Sequence, residues 1–342
     1  MTCDPLLEEV RGSMGVYSAM LVEDSNTDCT PVTFSSSSER YEILSENIRY
    51  TDILLGGEGL TGLIDTIGNH LRHGTRVVAG SITMEVGAYE LDNWLPRILG
   101  NAASGTTFST AEEFDLLPFD ILVKRDQGVA QYRQCSVTSA TFTSTASITG
   151  QEQVVRLTMQ IIGHEEHDTT SAVTSAGWPA TPPALPSEER LYWLLGDGKL
   201  QFTPTGGSQD EYYFDAFSLR IDNNLVPKTR NFLKVVAIQS RGRQIRLRVR
   251  SPYTASMHTN FYIDDFKGSG TLSFLGGQAN HNNMEVASTY QTVFEFADLR
   301  QTRITPSTNG RGEIPLSLDM EAYRVGGTNA AEPLVVTNAH PT

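Results

Sequence analysis

Alternation of apolar and polar residues runs through most of the chain and predicts strands. Tyr41–Ile53 reads as a strand and Leu54–Gly68 (LLGGEGLTGLIDTIG) as a glycine-rich loop. A second strand runs through Arg76–Val86, where VVAGSITMEV combines β-branched residues with a mid-strand glycine that marks a bulge or bend. Phe114–Arg125, Ala130–Ala146 and Val154–Gly163 follow as a meander of antiparallel strands. In the second of these, Val137 to Thr143 place small polar groups on one face. One segment changes period. In AYELDNWLPRIL (88–99), Leu91, Trp94, Leu95, Ile98 and Leu99 recur at three and four residues, the packing face of a helix stopped by Gly100-Asn101. Pro96 within it predicts a kink or an early end.

Residues 168–187 (DTTSAVTSAGWPATPPALPS) hold four prolines among small residues and read as a linker. Strand character resumes over Tyr212–Asp222, Leu233–Ala237, Gln244–Arg250, Phe261–Leu275, Thr289–Ala297 and Ile314–Val325. Residues 1–38 are polar and weakly periodic, which predicts an arm, either a disordered tail or a segment that orders on a neighbour. The polar residues after Gly326 predict a loose tail. The expected organisation is an arm (1–38), a first β domain (39–167) carrying helix 88–99, a linker (168–187), a second β domain (188–326) and a tail (327–342). Two echoes cross the linker: AGSITMEV (79–86) with SGTLSFLG (269–276), and VRLTMQIIG (155–163) with IPLSLDMEA (314–322). Each pair shares alternation and Ser/Thr placement, as an internal duplication would, and as any two β segments can.

Ser, Thr, Gly and Asn are abundant and Lys is scarce, which favours strands and turns over surface helices. With 39% hydrophobic and 19% charged residues in 342, the chain reads as globular, enough for one large or two ordinary domains. No apolar run approaches the roughly 20 residues that span a bilayer. MTCDPLLEEVRGS lacks the basic-then-apolar order of a signal peptide. Cys3, Cys29 and Cys135 are scattered and odd in number, which argues against a disulfide framework or zinc knuckle and suits a reducing cytoplasm during synthesis. Charge is unevenly placed. Residues 1–180 carry 24 acidic and 10 basic side chains, and residues 181–342 carry 16 of each, so the whole net −14 sits in the first half. Between Lys228 and Arg250 stand eight Lys/Arg and no acid, an asymmetry that bears on partners more than on fold.

Candidate chemistry is sparse. HEEH (164–167) lacks the two histidines four apart on a helix that a zincin needs, and HLRH (70–73) has no third ligand nearby. GGEGLTG (56–62) lacks the lysine and the strand–loop–helix frame of a phosphate loop. The adjacent pairs Asp264-Asp265 and Glu112-Glu113 would point to opposite faces of a strand. No catalytic, cofactor or metal residues are assigned, and no enzyme activity is expected. The informative element is RGRQIRLRVR (241–250): Arg246, Arg248 and Arg250 share one strand face, opposite Ile245, Leu247 and Val249. Arginine at each position favours bidentate pairing with carboxylates. Arg241, Arg243, Arg246, Arg248 and Arg250 are therefore expected to contact the acidic half of a neighbouring copy.

The order of arm, strand, glycine-rich loop, strand through VVAGSITMEV, helix AYELDNWLPRILGN and β meander resembles the tail tube (major tail) proteins of long-tailed, non-contractile bacteriophages. Val77–Asn101 carries the likeness best, and FDAFSLRIDNNLVP (214–227) resembles the strand followed by Asp-Asn-Asn in the second half of longer members. The likeness in order covers about residues 40–325. It implies a mainly β fold, an antiparallel β-sandwich or half-barrel tube domain with one helix, duplicated in the long two-repeat type, whose strands join an inter-subunit barrel. It also implies a virion structural protein, made in the host bacterial cytoplasm, that polymerises as stacked rings into a hollow conduit for DNA ejection. Tape measure and tail-end proteins are the further partners implied. DNA passes through the lumen without specific binding, and neither a cofactor nor a membrane is implied.

Long members of the family form trimeric rings with pseudo-sixfold symmetry, and short ones form hexameric rings. The linker and the echoes fit the former. The second half shows no helix as clear as 88–99, which leaves the hexamer open. An acidic lumen repels phosphate, so the arginine stripe is expected to face another subunit. A head–tail joining or distal tail ring protein shares the plan. A non-viral β-sandwich binding module is the remaining alternative, although Trp94, Trp178 and Trp193 do not cluster as its cleft would require.

Overall fold

The computed structural model describes residues 19–25, 32–56, 71–100, 104–110, 116–125, 128–145, 154–167, 178–184, 199–212, 214–229, 235, 237–253, 258–263, 265–276, 290–306, 315–326 and 331–339. In chain order the strands before the helix are β1 (Ala19–Asp24), β2 (Glu39–Tyr41), β3 (Ser45–Glu46), β4 (Arg49–Gly56) and β5 (Leu71–Glu85). Helix α1 (Ala88–Leu99) follows, then β6 (Thr107–Ser109), β7 (Phe119–Arg125), β8 (Gly128–Thr145), β9 (Arg156–Gly163) and β10 (Glu165–His167). The second half comprises β11 (Lys199–Pro204), β12 (Asp210–Tyr212), β13 (Ala216–Asp222), β14 (Leu225–Lys228), β15 (Ala237–Ser240) and β16 (Gln244–Pro252). After a π-helical turn at His258–Ile263 come β17 (Lys267–Gly276), β18 (Tyr290–Pro306), β19 (Pro315–Tyr323) and β20 (Val335–Ala339).

These strands make a mainly β, antiparallel fold in which two runs of four strands lie edge to edge. In the first, β3 and β4 share one register against β5, β5 pairs with β9, and β9 with the C-terminal half of β8. In the second, the order is β13, β16, β19 and the C-terminal half of β18. The runs meet where β8 pairs with β13, from Ala216 opposite Thr145 to Asp222 opposite Ser139. Both runs take their strands in the same chain order: first, second, fourth, third.

Registers match as well. In β8 a bulge skips Thr138, with Val137 and Ser139 opposite Ile161 and Gln160. In β18 it skips Thr302, with Gln301 and Arg303 opposite Met320 and Asp319. The preceding hairpins also share a shift: Phe119 faces Cys135 and Ile121 faces Tyr132, as Gly268 faces Leu299 and Gly270 faces Phe296. Thr138 to Thr302, Cys135 to Leu299 and Tyr132 to Phe296 are all displacements of 164 positions. Bulges bend strands, and β8 and β18 each cross from the long sheet into a smaller layer. The N-terminal half of β8 pairs with β7 and β10, and that of β18 with β17 and β20.

Beneath the long sheet lies one core fed by both runs. Alternation along β16 buries Ile245, Leu247 and Val249, and β19 adds Leu316, Leu318 and Met320. Helix α1 packs on β6, β8, β18 and β20. Its Leu91, Trp94, Leu95, Ile98 and Leu99 are all buried. Glu90 Oε2 accepts from the Gly87 N–H at 3.0 Å at the start. Gly100, at φ 82°, closes the end in the left-handed region, donating to Pro96 O at 2.8 Å.

Several expectations change here. The helix continues through Pro96 to Leu99 instead of ending early. The segment expected to be an arm contributes β1, paired on both sides by β2 and β7, with Met20, Leu21 and Val22 fully buried. The expected loose tail contributes β20, which pairs with β18 and β6. Phe261–Leu275 is not one strand: Phe261 lies in the π-helical turn, buried among Phe202, Tyr212 and Phe266, and β17 starts at Lys267. Leu54–Gly56 complete β4, and residues 57–70, with GGEGLTG beyond Gly56 and His70, lie outside the described residues. His73 lies within β5, which rules out a helical HLRH pair. In the proline-rich segment only 178–184 are described. There Trp178 packs beside Leu21 and Leu122, and Arg40 Nη1 donates to Pro183 O at 3.2 Å.

Candidate assembly interface

Burying one side of the long sheet leaves the other polar and open. Across it, Thr83, Thr158, Thr141, Arg220, Arg246, Glu321 and Arg300 follow one another strand by strand. The next row holds Arg156, Thr143, Ser218, Arg248, Asp319 and Arg303. The face is hollowed between β8 and β18, in a depression lined by Thr141, Ser218, Arg246, Arg248, Asp319 and Glu321.

The arginine stripe sits in this hollow with carboxylates of its own chain. Arg248 forks onto Asp319, and that hydrogen bond and charge hold its pKa above the usual value. Arg220 pairs with Asp222 at 2.7 Å and Arg300 with Asp298 at 2.8 Å. Arg246 stands opposite Glu321 and donates to Gln244 Oε1 at 3.0 Å, and Arg250 stands opposite Ser317. Ion pairs this exposed contribute little to stability. Their consequence is partial neutralisation of the arginine-rich face.

The other two arginines of the motif lie elsewhere. The Arg241 N–H donates to Asn224 O at the open end of the β14–β15 ladder, beyond the Leu225–Ser240 pair. Arg243 turns inward, donating from Nε to Asn223 Oδ1 at 2.8 Å and from Nη2 to Leu99 O at 2.8 Å. It therefore serves the carbonyl end of α1, where a cation is favoured. Burial pulls its pKa down to about 10, with Glu332 acting in the opposite direction.

Asp222-Asn223-Asn224 explains itself at the same place. Asp222 Oδ1 accepts from the Asn224 N–H at 3.1 Å, and Asn224 takes the left-handed φ of 47° that asparagine tolerates. Asn223 is fully buried and donates from Nδ2 to Ile98 O and Val137 O, both at 3.0 Å. It thus ties α1, the β8 bulge and the end of β13 together.

Two further polar anchors carry no sequence signal beyond isolated charges and amides. Arg97, 3% exposed, pairs with Asp24 at 2.7 Å and Glu39 at 2.6 Å, and lies over the rings of Trp94 and Phe119. Burial opposes its charge, but hydrogen bonds to Glu39 and Asp24 prevail and raise its pKa. Asn338 donates to Ala88 O and to Asp92 Oδ1, both at 2.7 Å, fastening β20 to the start of α1.

Among the described residues no group of three or more His, Cys, Asp or Glu is placed to hold a metal ion. HEEH forms β10 and the residue before it, with Glu165 paired to Arg133. No helix among the described residues is long and apolar enough to cross a membrane.

Comparison with curated proteins finds no significant match. The family model described as "Phage tail tube protein" matches residues 65–322, from β5 to the end of β19. That span includes both four-strand runs apart from β3 and β4, and the whole open polar face. The chain belongs to the phage tail tube protein family, and its role is structural, as a self-assembling component of the virion tail.

Proposed function

We propose that this chain is a tail tube subunit of the two-repeat type. Three copies close a ring of pseudo-sixfold symmetry, and rings stack into a conduit through which DNA leaves a long-tailed, non-contractile phage. The observation that carries this reading is the matched pair of runs, with the same strand order and the same bulges 164 positions apart. One chain thereby offers two equivalent sheet units, and six units need three chains.

In such a ring β16 lies within a run and away from any joint. Arg246, Arg248 and Arg250 then line the hollow side of the sheet, toward the lumen, instead of bridging subunits. The carboxylates paired with Arg220, Arg248 and Arg300 offset part of the positive charge that this face offers the DNA backbone. The acidic surplus elsewhere adds long-range repulsion of phosphate. Tape measure and tail-end proteins are the partners at the lumen and tip, and synthesis takes place in the bacterial host.

Purified protein examined by negative-stain microscopy and by mass measurement tests the proposal. Tubes, and a smallest ring of three protomer masses, are the expected result. Six protomers per ring would refute the two-repeat assignment, and a monomer at every concentration would refute the ring reading.

A further inference from the structure

We propose the register in which the two outer edges of the long sheet meet between copies of this chain: it is the register that β8 and β13 use inside one copy. This rests on the ring reading and supplies its joint. Inside the chain, the third strand of the first run receives the first strand of the second: Ala140 opposite Ile221, Thr141 opposite Arg220 and Phe142 opposite Leu219. Both strands have counterparts that lack this partner. Among the described residues, β3 and β4 pair only with β5, and Arg303–Pro306 of β18 pair only with β19.

The counterparts can be assigned residue by residue. Ile161 and Met320 both flank the bulge, so the next residues, Ile162 and Glu321, correspond. Ile162 faces Ala79, which faces Arg49. Glu321 faces Arg246, which faces Arg220. Arg49 therefore corresponds to Arg220 and Ile48 to Leu219. Both arginines are exposed, and Ile48 and Leu219 are both buried. On the other strand, the displacement from Thr138 to Thr302 relates Ala140, Thr141 and Phe142 to Ile304, Thr305 and Pro306. Transferring the internal joint sets Tyr50 opposite Ile304, Arg49 opposite Thr305, and Ile48 opposite Pro306 of the next copy. Thr51 then faces Arg303.

Backbone chemistry at the edge agrees. The Asn47 N–H donates inward to Ser81 O at 3.0 Å, so alternation turns the N–H and C=O of Ile48 outward. The transferred register brings Pro306 there, which has no N–H to donate. Ile48 O needs none, because it accepts from Arg125 Nη2 at 2.7 Å and from the Tyr132 hydroxyl at 2.9 Å. Glu46 Oε2 accepts from the Ile48 N–H at 3.1 Å, so the edge groups at this residue stay satisfied in a copy that has not yet assembled.

The test places Thr51→Cys and Arg303→Cys together on a Cys3→Ser, Cys29→Ser background. Both positions are exposed, and the register makes them a non-hydrogen-bonded pair, whose spacing of about 4.5 Å suits a disulfide. Because they lie at opposite ends of the sheet, an oxidised bond can form only between copies. A non-reducing gel should show a ladder ending at the ring size, and neither single variant should show a closed product. Ile304→Pro is the second variant. Its N–H points outward by correspondence with Ala140, so the β18–β19 ladder survives, and the expected product is a folded protomer that forms no rings. Wild-type rings with no Thr51–Arg303 disulfide, or Ile304→Pro rings like those of the wild type, would overturn the joint and leave the ring reading intact. A wild-type chain that forms no rings would overturn both.

Discussion

Asn223→Ala is the most informative single change, because its side chain serves three buried groups at once. It removes two neutral hydrogen bonds, to Ile98 O and Val137 O, and one bond from a guanidinium, Arg243 Nε to Asn223 Oδ1. Neutral bonds contribute about 1 kcal/mol each and a charged one about 1.5–3 kcal/mol. The expected loss is therefore about 4 kcal/mol, a large part of the 5–15 kcal/mol that typically holds a domain together. The site is fully buried, so water cannot replace the lost partners. Urea unfolding followed by fluorescence of the buried Trp94 measures the loss, at concentrations below ring formation so that assembly does not add to stability. A cycle with Arg243→Met isolates the shared bond, with an expected coupling of about 1.5–3 kcal/mol. A loss under about 1 kcal/mol, or a coupling of zero, would refute the assignment of Asn223 as the tie between α1, β8 and β13.

Four other outcomes follow from the same geometry. Gly80→Ala would set a Cβ 2.4 Å from the Ile48 Cα. It should cost about 1–3 kcal/mol by pushing the joint edge off β5, and should raise the concentration needed for rings; unchanged unfolding and assembly would contradict this. Truncation after Gly326 removes Val336 and the Asn338 bonds to Ala88 and Asp92, so the product should lose cooperative unfolding and solubility, as a sedimentation assay would show. Arg246→Gln with Arg248→Gln should leave the threshold for tube formation unchanged if the stripe lines the lumen; lost assembly would return it to a contact between subunits. Burial, opposed by Glu165, holds the His164 pKa below the ordinary value. Between that lowered value and about 6.5 the unfolded chain binds more protons, so stability falls as pH drops through this window. Urea midpoints at pH 7 and 5.5 should differ less in His164→Asn than in the wild type.

Much of the secondary structure was readable because one face of each element is buried. Strict alternation along β16 and the three-and-four spacing of α1 both report a single apolar side. The misses have separate physical causes. β1 is apolar over only Ala19–Val22 and lies between polar segments, yet as a central strand it needs just that short run. β20 (VVTNA) reads as polar because Asn338 is buried for its hydrogen bonds, which periodicity scores as exposure. Pro96 predicts a break, but it stands in the last turn, so the one i→i−4 bond it forfeits and any bend it makes have almost no helix left to disrupt. The arginine run was legible as a motif but not as a site. Alternation gave Arg246, Arg248 and Arg250 a common face, whereas Glu321 and Asp319, opposite the first two, arrive from β19 through a pairing the motif does not encode.

The two sequence echoes show what separates duplication from resemblance. VRLTMQIIG and IPLSLDMEA are the fourth-appearing strands of their runs, β9 and β19, aligned at the residues that flank each bulge. AGSITMEV and SGTLSFLG are not equivalent: the first is β5, whose counterpart is β16, and the second is β17, whose counterpart is β7. Both pairs alternate alike, since any half-buried strand must. Only register discriminates, because one slipped residue turns every side chain to the other face. A duplicated sheet can therefore exchange Leu247 for Gly80, or an arginine for a serine, while its bulges stay fixed. For the same reason the bulges are the reference by which an edge of one copy can be matched to the edge of the next.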